Sequence, residues 1–256
     1  MTEIALHVEN LGKRFGGLLA TNDVSFDVVE HSLTALIGPN GAGKTTLFNL
    51  ITNLFAPDTG KIEFHGQSLA GLPPGRIARM GLIRTFQTAR VFPGMTVLEN
   101  VLSGRHRLLR QGLLANMAWL PAARAEERKV AEQAKALLDL VGLADTADRP
   151  ATELPMGAQK LLEVIRALMA QPRLLLLDEP AAGLNDTETG ELATLLRAVR
   201  ACGVTVMVVE HNMSLVMTIA DQVVVLEAGS LIAAGTPAEI QANPRVIAAY
   251  LGEAPV

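Results

Sequence analysis

The chain has 256 residues, 49% of them apolar and 19% charged, with a net charge of -4 and one cysteine, Cys202. That length and balance imply a well-packed globular body and argue against a nucleic-acid binder that works by phosphate neutralisation. A lone cysteine cannot form an internal disulfide, which fits a reducing compartment, and its expected place is that of a small buried hydrophobe.

In chain order, MTEIALHVEN carries an early acid and no long apolar run, so it does not read as a secretory signal. IALHV, VSFDVV and KIEFHG predict short strands of a front sheet. SLTALIG (Ser32–Gly38) is a buried strand entering a glycine loop, and KTTLFNLITNLF continues at helical spacing. Between about Met95 and Gly142 the composition turns to Ala, Leu, Glu and Arg, which favours helix. LLLLD (Leu174–Asp178) and VTVMVVEH (Val204–His211) are apolar runs suited to a sheet covered on both faces. QVVVLEAGSLIAAG predicts a hairpin turning at Ala228-Gly229. The order implies an α/β nucleotide-binding core with an inserted helical subdomain. No apolar stretch reaches the roughly 18 residues that span a bilayer, so a soluble protein is expected, reaching any membrane through a partner.

GPNGAGKTT, Gly38–Thr46, matches the phosphate-loop pattern G-x-x-x-x-G-K-[ST]. Gly38, Pro39, Asn40, Gly41, Ala42 and Gly43 form a turn whose backbone N–H groups can point inward, and the next helix adds its positive end. Lys44 is expected to neutralise the β- and γ-phosphates and the Thr45 hydroxyl to ligate magnesium, with Thr46 beside it. Asp178 ends an apolar strand, where a carboxylate can hold magnesium directly or through water. Glu179 follows as the natural general base for an attacking water. His211 closes the next apolar strand on the ligand side of such a sheet, where a ring N–H can reach a γ-phosphate. His7, His31, His65 and His106 read as solvated or structural.

GPNGAGKTT, RTFQ, LPMGAQ, LLLLDEP, AAGLN and VVEH come in the order and spacing of the ABC-transporter ATPase subunit, which the chain resembles over essentially its whole length. The resemblance implies a P-loop ABC ATPase with a RecA-like core, an antiparallel β subdomain and an inserted α-helical subdomain. It places the core at about 1–90 and 160–256 and the helical subdomain at about 91–159. It makes Gln87 the Q-loop residue and a magnesium ligand, Leu154–Gln159 the signature turn, Asn185 the D-loop position and His211 the switch histidine. Phe15, in GKRFGG, matches the aromatic that stacks on adenine, a contact that needs only a π face. KRFGGLLATNDVSFDV, GLIRTFQTARVFPGMTVLENV, VEHNMSLVMTIADQVVVLEAGSLIAAGTPAEI and ANPRVIAAYLG are similar to ATPases of branched-chain amino-acid importers, the LivG type. The segment Gly104–Lys129, with Trp119, looks like that group's insertion; it reads as a helical hairpin, with a membrane-surface helix as the alternative.

Most of the family has a signature serine that contacts the γ-phosphate held by the partner subunit; here Pro155 stands in that slot, with neither hydroxyl nor N–H. LivG-type sequences commonly have proline there, and proline suits a first helical turn. The amides of Met156, Gly157 and Ala158 remain, at the positive end of a helix. Met156 and Ala158 depart from the aromatic and polar residues usual in these slots. Leu161, Leu162, Val164, Ile165, Leu168 and Met169 predict one apolar stripe, with Lys160, Glu163 and Arg166 on the opposite face.

The resemblance implies an MgATP hydrolase that powers an importer from the cytoplasmic face of the inner membrane. A chain with one set of motifs would pair head to tail, so that Leu154, Pro155, Met156, Gly157, Ala158, Gln159 and Asn185 complete the partner's site. The implied partners are a second ABC ATPase, alike or different, transmembrane permease subunits and, indirectly, an extracytoplasmic binding protein; no nucleic acid is expected. The alternatives are a urea or amide importer ATPase of the same subgroup, a soluble non-transport ABC ATPase, and a nucleotide-binding regulatory module without turnover.

Overall fold

The structure, a computed structural model, describes residues 3–85, 91–105 and 121–251. They form two compact units, one of Met1–Gln87, Arg173–Ala182 and Leu196–Val256, the other of Thr88–Pro172 and Gly183–Leu195.

The first unit holds two sheets. β1 (Ile4–Phe15), β2 (Leu18–Val29), β4 (Thr59–Phe64) and β5 (Gln67–Ser68) form an antiparallel sheet in the order β2-β1-β4-β5. The predicted front strands are present, but β1 and β2 run for 12 residues each because bulges let them continue past polar positions. The second sheet has the order β10-β9-β3-β8-β7-β6 and joins β3 (Leu33–Ile37), β6 (Leu82–Arg84), β7 (Leu174–Asp178), β8 (Thr205–Val209), β9 (Gln222–Glu227) and β10 (Ser230–Gly235). All its pairings are parallel except that of β9 with β10, the hairpin expected at Ala228-Gly229. Every residue of β3, β7 and β8 is buried, which is why these strands read as unbroken apolar runs. α1 (Lys44–Ile51) packs Leu47, Phe48, Leu50 and Ile51 into the core formed with Leu36, Leu176, Met207 and Val224. The short α2 (Pro74–Arg79) precedes β6. The carboxyl ends of β3, β7 and β8 lie side by side, so residues following them meet at one edge.

The second unit is helical. Thr96 caps α3 (Val97–Ser103) in a reciprocal box with Glu99, the side chain accepting from the Glu99 amide at 3.2 Å while Glu99 accepts from the Thr96 amide at 2.8 Å. The fully buried Asn100 ties the incoming chain to this helix, its side-chain Oδ1 accepting from the Phe92 amide at 2.7 Å. α4 (Pro121–Leu140) buries Val130, Ala134 and Leu138, one helical stripe. α5 (Met156–Leu168) buries Leu161, Leu162, Val164 and Ile165 as predicted. Lys160 and Glu163 are buried too, so the charged side expected opposite that stripe is also largely enclosed. Arg166 lies 5.0 Å over the Phe92 ring, which helps cover that face. The division expected at residue 159 would cut α5, whereas the compact unit keeps the helix whole.

α6 (Asp186–Ala201) ends in a turn where the Cys202 amide donates to the Ala198 carbonyl at 3.0 Å. Cys202 is exposed, contrary to expectation, because it stands in the turn after the helix rather than on its apolar stripe. α7 (Met213–Ile219), α8 (Pro237–Gln241) and α9 (Pro244–Leu251) complete the described chain. No helix among the described residues is long and apolar enough to cross a membrane. Most of the segment 104–129, Trp119 included, lies outside the described residues, as does His106; within it Pro121 onward belongs to α4.

Candidate functional site

The loop Gly38–Gly43 leads from β3 into α1, and its glycines are required by sterics at two points. A Cβ on Gly38 would stand 2.1 Å from the Leu226 carbonyl oxygen, and one on Gly43, whose φ is 97°, would stand 2.5 Å from that of Ala20. The β9–β10 turn is fastened to the same loop, with the Gly229 amide donating to the Ala42 carbonyl at 3.1 Å and the Asn22 amide to the Gly229 carbonyl at 2.8 Å. Gly43 occupies the cap of α1 without a side-chain acceptor, so the first-turn amides are left for an anion. Lys44 is 6% exposed, and its Nζ donates to the carbonyls of Gly38 at 2.7 Å and Pro39 at 2.9 Å. Burial pulls its ammonium below the usual lysine range, against the opposing pull of Glu179 and Asp178. Asn40, Gly41, Ala42, Gly43, Lys44, Thr45 and Thr46 line an open cleft of about 520 Å³ together with Glu179 and His211.

Sequence reasoning missed the other walls of that cleft, Leu18, Leu19, Ala20 and Ala228. They come from the start of β2 and from the β9–β10 turn and carry no chemical pattern of their own. Phe15 is not among the lining residues; it ends β1 with 41% of its surface exposed, packed edge-on against Phe55 at 5.4 Å.

Asp178 is 3% exposed at the end of β7, and its Oδ2 accepts from the Arg84 guanidinium at 2.8 Å. Its Oδ1 is buried without a hydrogen-bond partner among the described residues, an oxygen suited to a hard cation. Arg84 also donates to Asn49 Oδ1 at 2.7 Å and sits 5.5 Å over the Phe48 ring, which fixes it against α1. Glu179 adopts the left-handed backbone at φ 49°, unusual for a glutamate, while its amide donates to the Val209 carbonyl at 2.9 Å. This kink after the strand turns its side chain into the cleft, where Oε1 meets His211 Nε2 at 2.9 Å. Base and histidine, expected separately, are thus in contact, with side chains 18% and 40% exposed. Gln87 lies outside the described residues.

In the second unit Leu154 is buried and Pro155 occupies the cap position of α5 with φ -54° and ψ 155°. The Pro155 carbonyl accepts from the Gln159 amide at 3.0 Å, and Gln159 Nε2 donates to the Leu154 carbonyl at 2.8 Å. Pro155 supplies no side-chain cap, so the first-turn amides of Met156, Gly157 and Ala158 have no capping acceptor among the described residues. Met156 is 62% exposed, whereas Gly157 is buried beside Glu188. Asn185 caps α6: its Oδ1 accepts from the Glu188 amide at 3.0 Å, and Glu188 Oε2 accepts from the Asn185 amide at 2.9 Å.

With this geometry in hand, comparison with known proteins is consistent from end to end. Residues 21–182 match the family described as ABC transporter, and residues 230–255 match one described as branched-chain amino acid ATP-binding cassette transporter. The chain is 48% identical over 255 residues to the high-affinity branched-chain amino acid transport ATP-binding protein BraF of Pseudomonas aeruginosa, covering 99% of this chain and 100% of that one. With the same coverage it is 45% identical to the protein LivG of Escherichia coli K12, which bears the same description. Among solved structures, the ADP conformation of MJ1267, an ATP-binding cassette of an ABC transporter, has a TM-score of 0.85 at 33% identity, covering 99% of this chain and 100% of that one.

Proposed function

The chain belongs to the ABC transporter ATP-binding family, and from that premise we propose that its loop cleft binds and hydrolyses ATP to power uptake of branched-chain amino acids. The observation that carries this reading is the Glu179–His211 pair, 2.9 Å apart at the wall of a phosphate-loop cleft. The protein is a nucleotide-binding ATPase subunit of a transporter, and the relatives that cover its whole length serve branched-chain amino acids.

Phe15, partly exposed at the end of β1, is the ring that would stack on the adenine, and the amides of Gly41–Thr46 with the Lys44 ammonium hold the phosphates. An approaching phosphate oxygen competes for the same ammonium that now rests on the Gly38 and Pro39 carbonyls. The all-oxygen set of the Thr45 hydroxyl and Asp178 Oδ1 fits magnesium, with the Gln87 carbonyl as a further ligand. When bound, that ion would neutralise charge on the β- and γ-phosphates. Glu179 takes the proton of the attacking water, and His211 holds the Glu179 carboxylate in place and reaches the γ-phosphate. Leu154–Gln159 and Asn185 complete the site of a second ATPase subunit. Permease subunits receive the motion near Gln87 and hold the protein at the cytoplasmic membrane face.

Replacing Glu179 with Gln is expected to lower phosphate release by about 10²–10⁴-fold while ATP binding persists. Near-normal hydrolysis by that variant would remove Glu179 from the mechanism. Reconstitution with the permease and its binding protein, assayed for leucine-stimulated hydrolysis against urea, tests the cargo.

A further inference from the structure

Glu210 stands between β8 and His211, is 2% exposed, and has no part in the chemistry assigned so far. Its two carboxylate oxygens face different turns. Oε1 accepts from the Ala181 amide at 2.7 Å, in the turn that follows Glu179. Oε2 accepts from the His211 amide at 3.1 Å and the Asn212 amide at 3.4 Å. The Glu210 amide itself donates to Leu36 of β3 at 3.3 Å, the strand that feeds the phosphate loop. Together with the contact between Glu179 and His211, these bonds close a ring: Glu179 through Pro180 to Ala181, across to Glu210, on to His211 and back.

We propose that Glu210 is a positioning residue for hydrolysis, its carboxylate bridging the turn after Glu179 to the turn bearing His211 and so fixing the Glu179–His211 contact. The proposal rests on the reading that ATP is hydrolysed in this cleft. Only an ionised carboxylate suits the place, because both of its oxygens accept and the donors come from two chain segments at once. A glutamine would present an NH2 group to one of the two turns, leaving an N–H facing an N–H. Burial and the neighbouring Glu179 charge push the Glu210 carboxyl up, whereas the amide donors pull it down. Asn212 extends the brace by capping α7, its Oδ1 accepting from the Leu215 amide at 3.0 Å.

The test compares the full-length wild type with Glu210→Gln, Glu210→Asp, His211→Ala and the double variant E210Q/H211A, measuring steady-state MgATP hydrolysis, ATP binding and thermal melting. E210Q is expected to lower kcat by about tenfold or more, with KM and ATP affinity within about twofold. Glu210→Asp keeps the charge but is one methylene too short to span both turns; it should lose turnover as well, and it serves if E210Q fails to fold. In the H211A background E210Q should cost no more than about a further twofold, because the contact it protects is already gone. Wild-type kcat in both Glu210 variants overturns the proposal, and so does an equal loss with and without His211, which marks a purely structural role. A wild type that binds ATP without turnover overturns the hydrolytic reading itself.

Discussion

Glu179 and His65 both sit in the left-handed backbone region, at φ 49° and 46°, for different reasons. At Glu179 the kink aims a carboxylate into the cleft; at His65 it is the corner between β4 and β5. His65 Nδ1 pairs with Glu30, while its Nε2 is buried without a partner among the described residues. Burial and then Arg173 hold its pKa below 6.5, against the opposing influence of Glu30 and Glu3. With the folded value below the unfolded one, the folded state disfavours the proton; its stability is full above the unfolded pKa and is lost as pH falls through the folded one. The melting temperature should therefore drop as pH falls from 7 to 5, and His65→Asn should flatten part of that drop. Asn tolerates left-handed backbone and keeps an N–H toward Glu30. Parallel pH profiles for the two proteins would refute this account. The bland sequence reading of His65 gave it no such environment, because its neighbours come from positions as distant as Glu30 and Arg173.

Among the elements, α5 shows how much of a motif is legible and how much is not. Its apolar stripe follows from spacing, whereas Pro155, expected in the first turn, stands at the cap position before Met156 with a non-helical ψ of 155°. What spacing does not reveal is that a Cβ on Gly157 would stand 2.3 Å from Glu188 Oε1, on the side chain that closes the Asn185 cap of α6. Glycine to alanine in a helix ordinarily gains about 1 kcal/mol. Here Gly157→Ala is expected to displace the Glu188 carboxylate and open its half of that cap, a cost of about 1 kcal/mol that offsets the gain and leaves the melting temperature near the wild-type value. In a Glu188→Ala background the same change should raise the melting temperature by about 2–4 °C. Equal effects in both backgrounds would show that the close approach is not the reason for glycine. The strand β6, with Arg84 on Asp178, escaped sequence reading because three residues carry too little periodicity.

For the whole molecule, one chain carries each motif once, and the proposed completion of each site by Leu154–Gln159 and Asn185 of another subunit makes assembly part of the chemistry. Glu179→Gln with MgATP should sediment as a dimer and return to monomer with ADP. A dimer formed by this chain alone marks a homodimer; a dimer formed only with a companion ATPase marks a heterodimer. A monomer in both mixtures would remove the reading that sites are completed in trans.

The sequence by itself determined the α/β core, the phosphate loop, the acid pair at the end of β7 and the hairpin at Ala228-Gly229, because each depends on residues adjacent along the chain. Loop glycines, apolar runs and strand-end acids write their geometry locally. Tertiary structure alone decided that Glu179 meets His211, that Arg84 neutralises half of Asp178, that Glu210 spans two turns, and that Cys202 faces outward. These contacts join strands far apart in sequence but neighbours in the sheet, and hydrogen bonding acts only over the distance to which folding brings the groups.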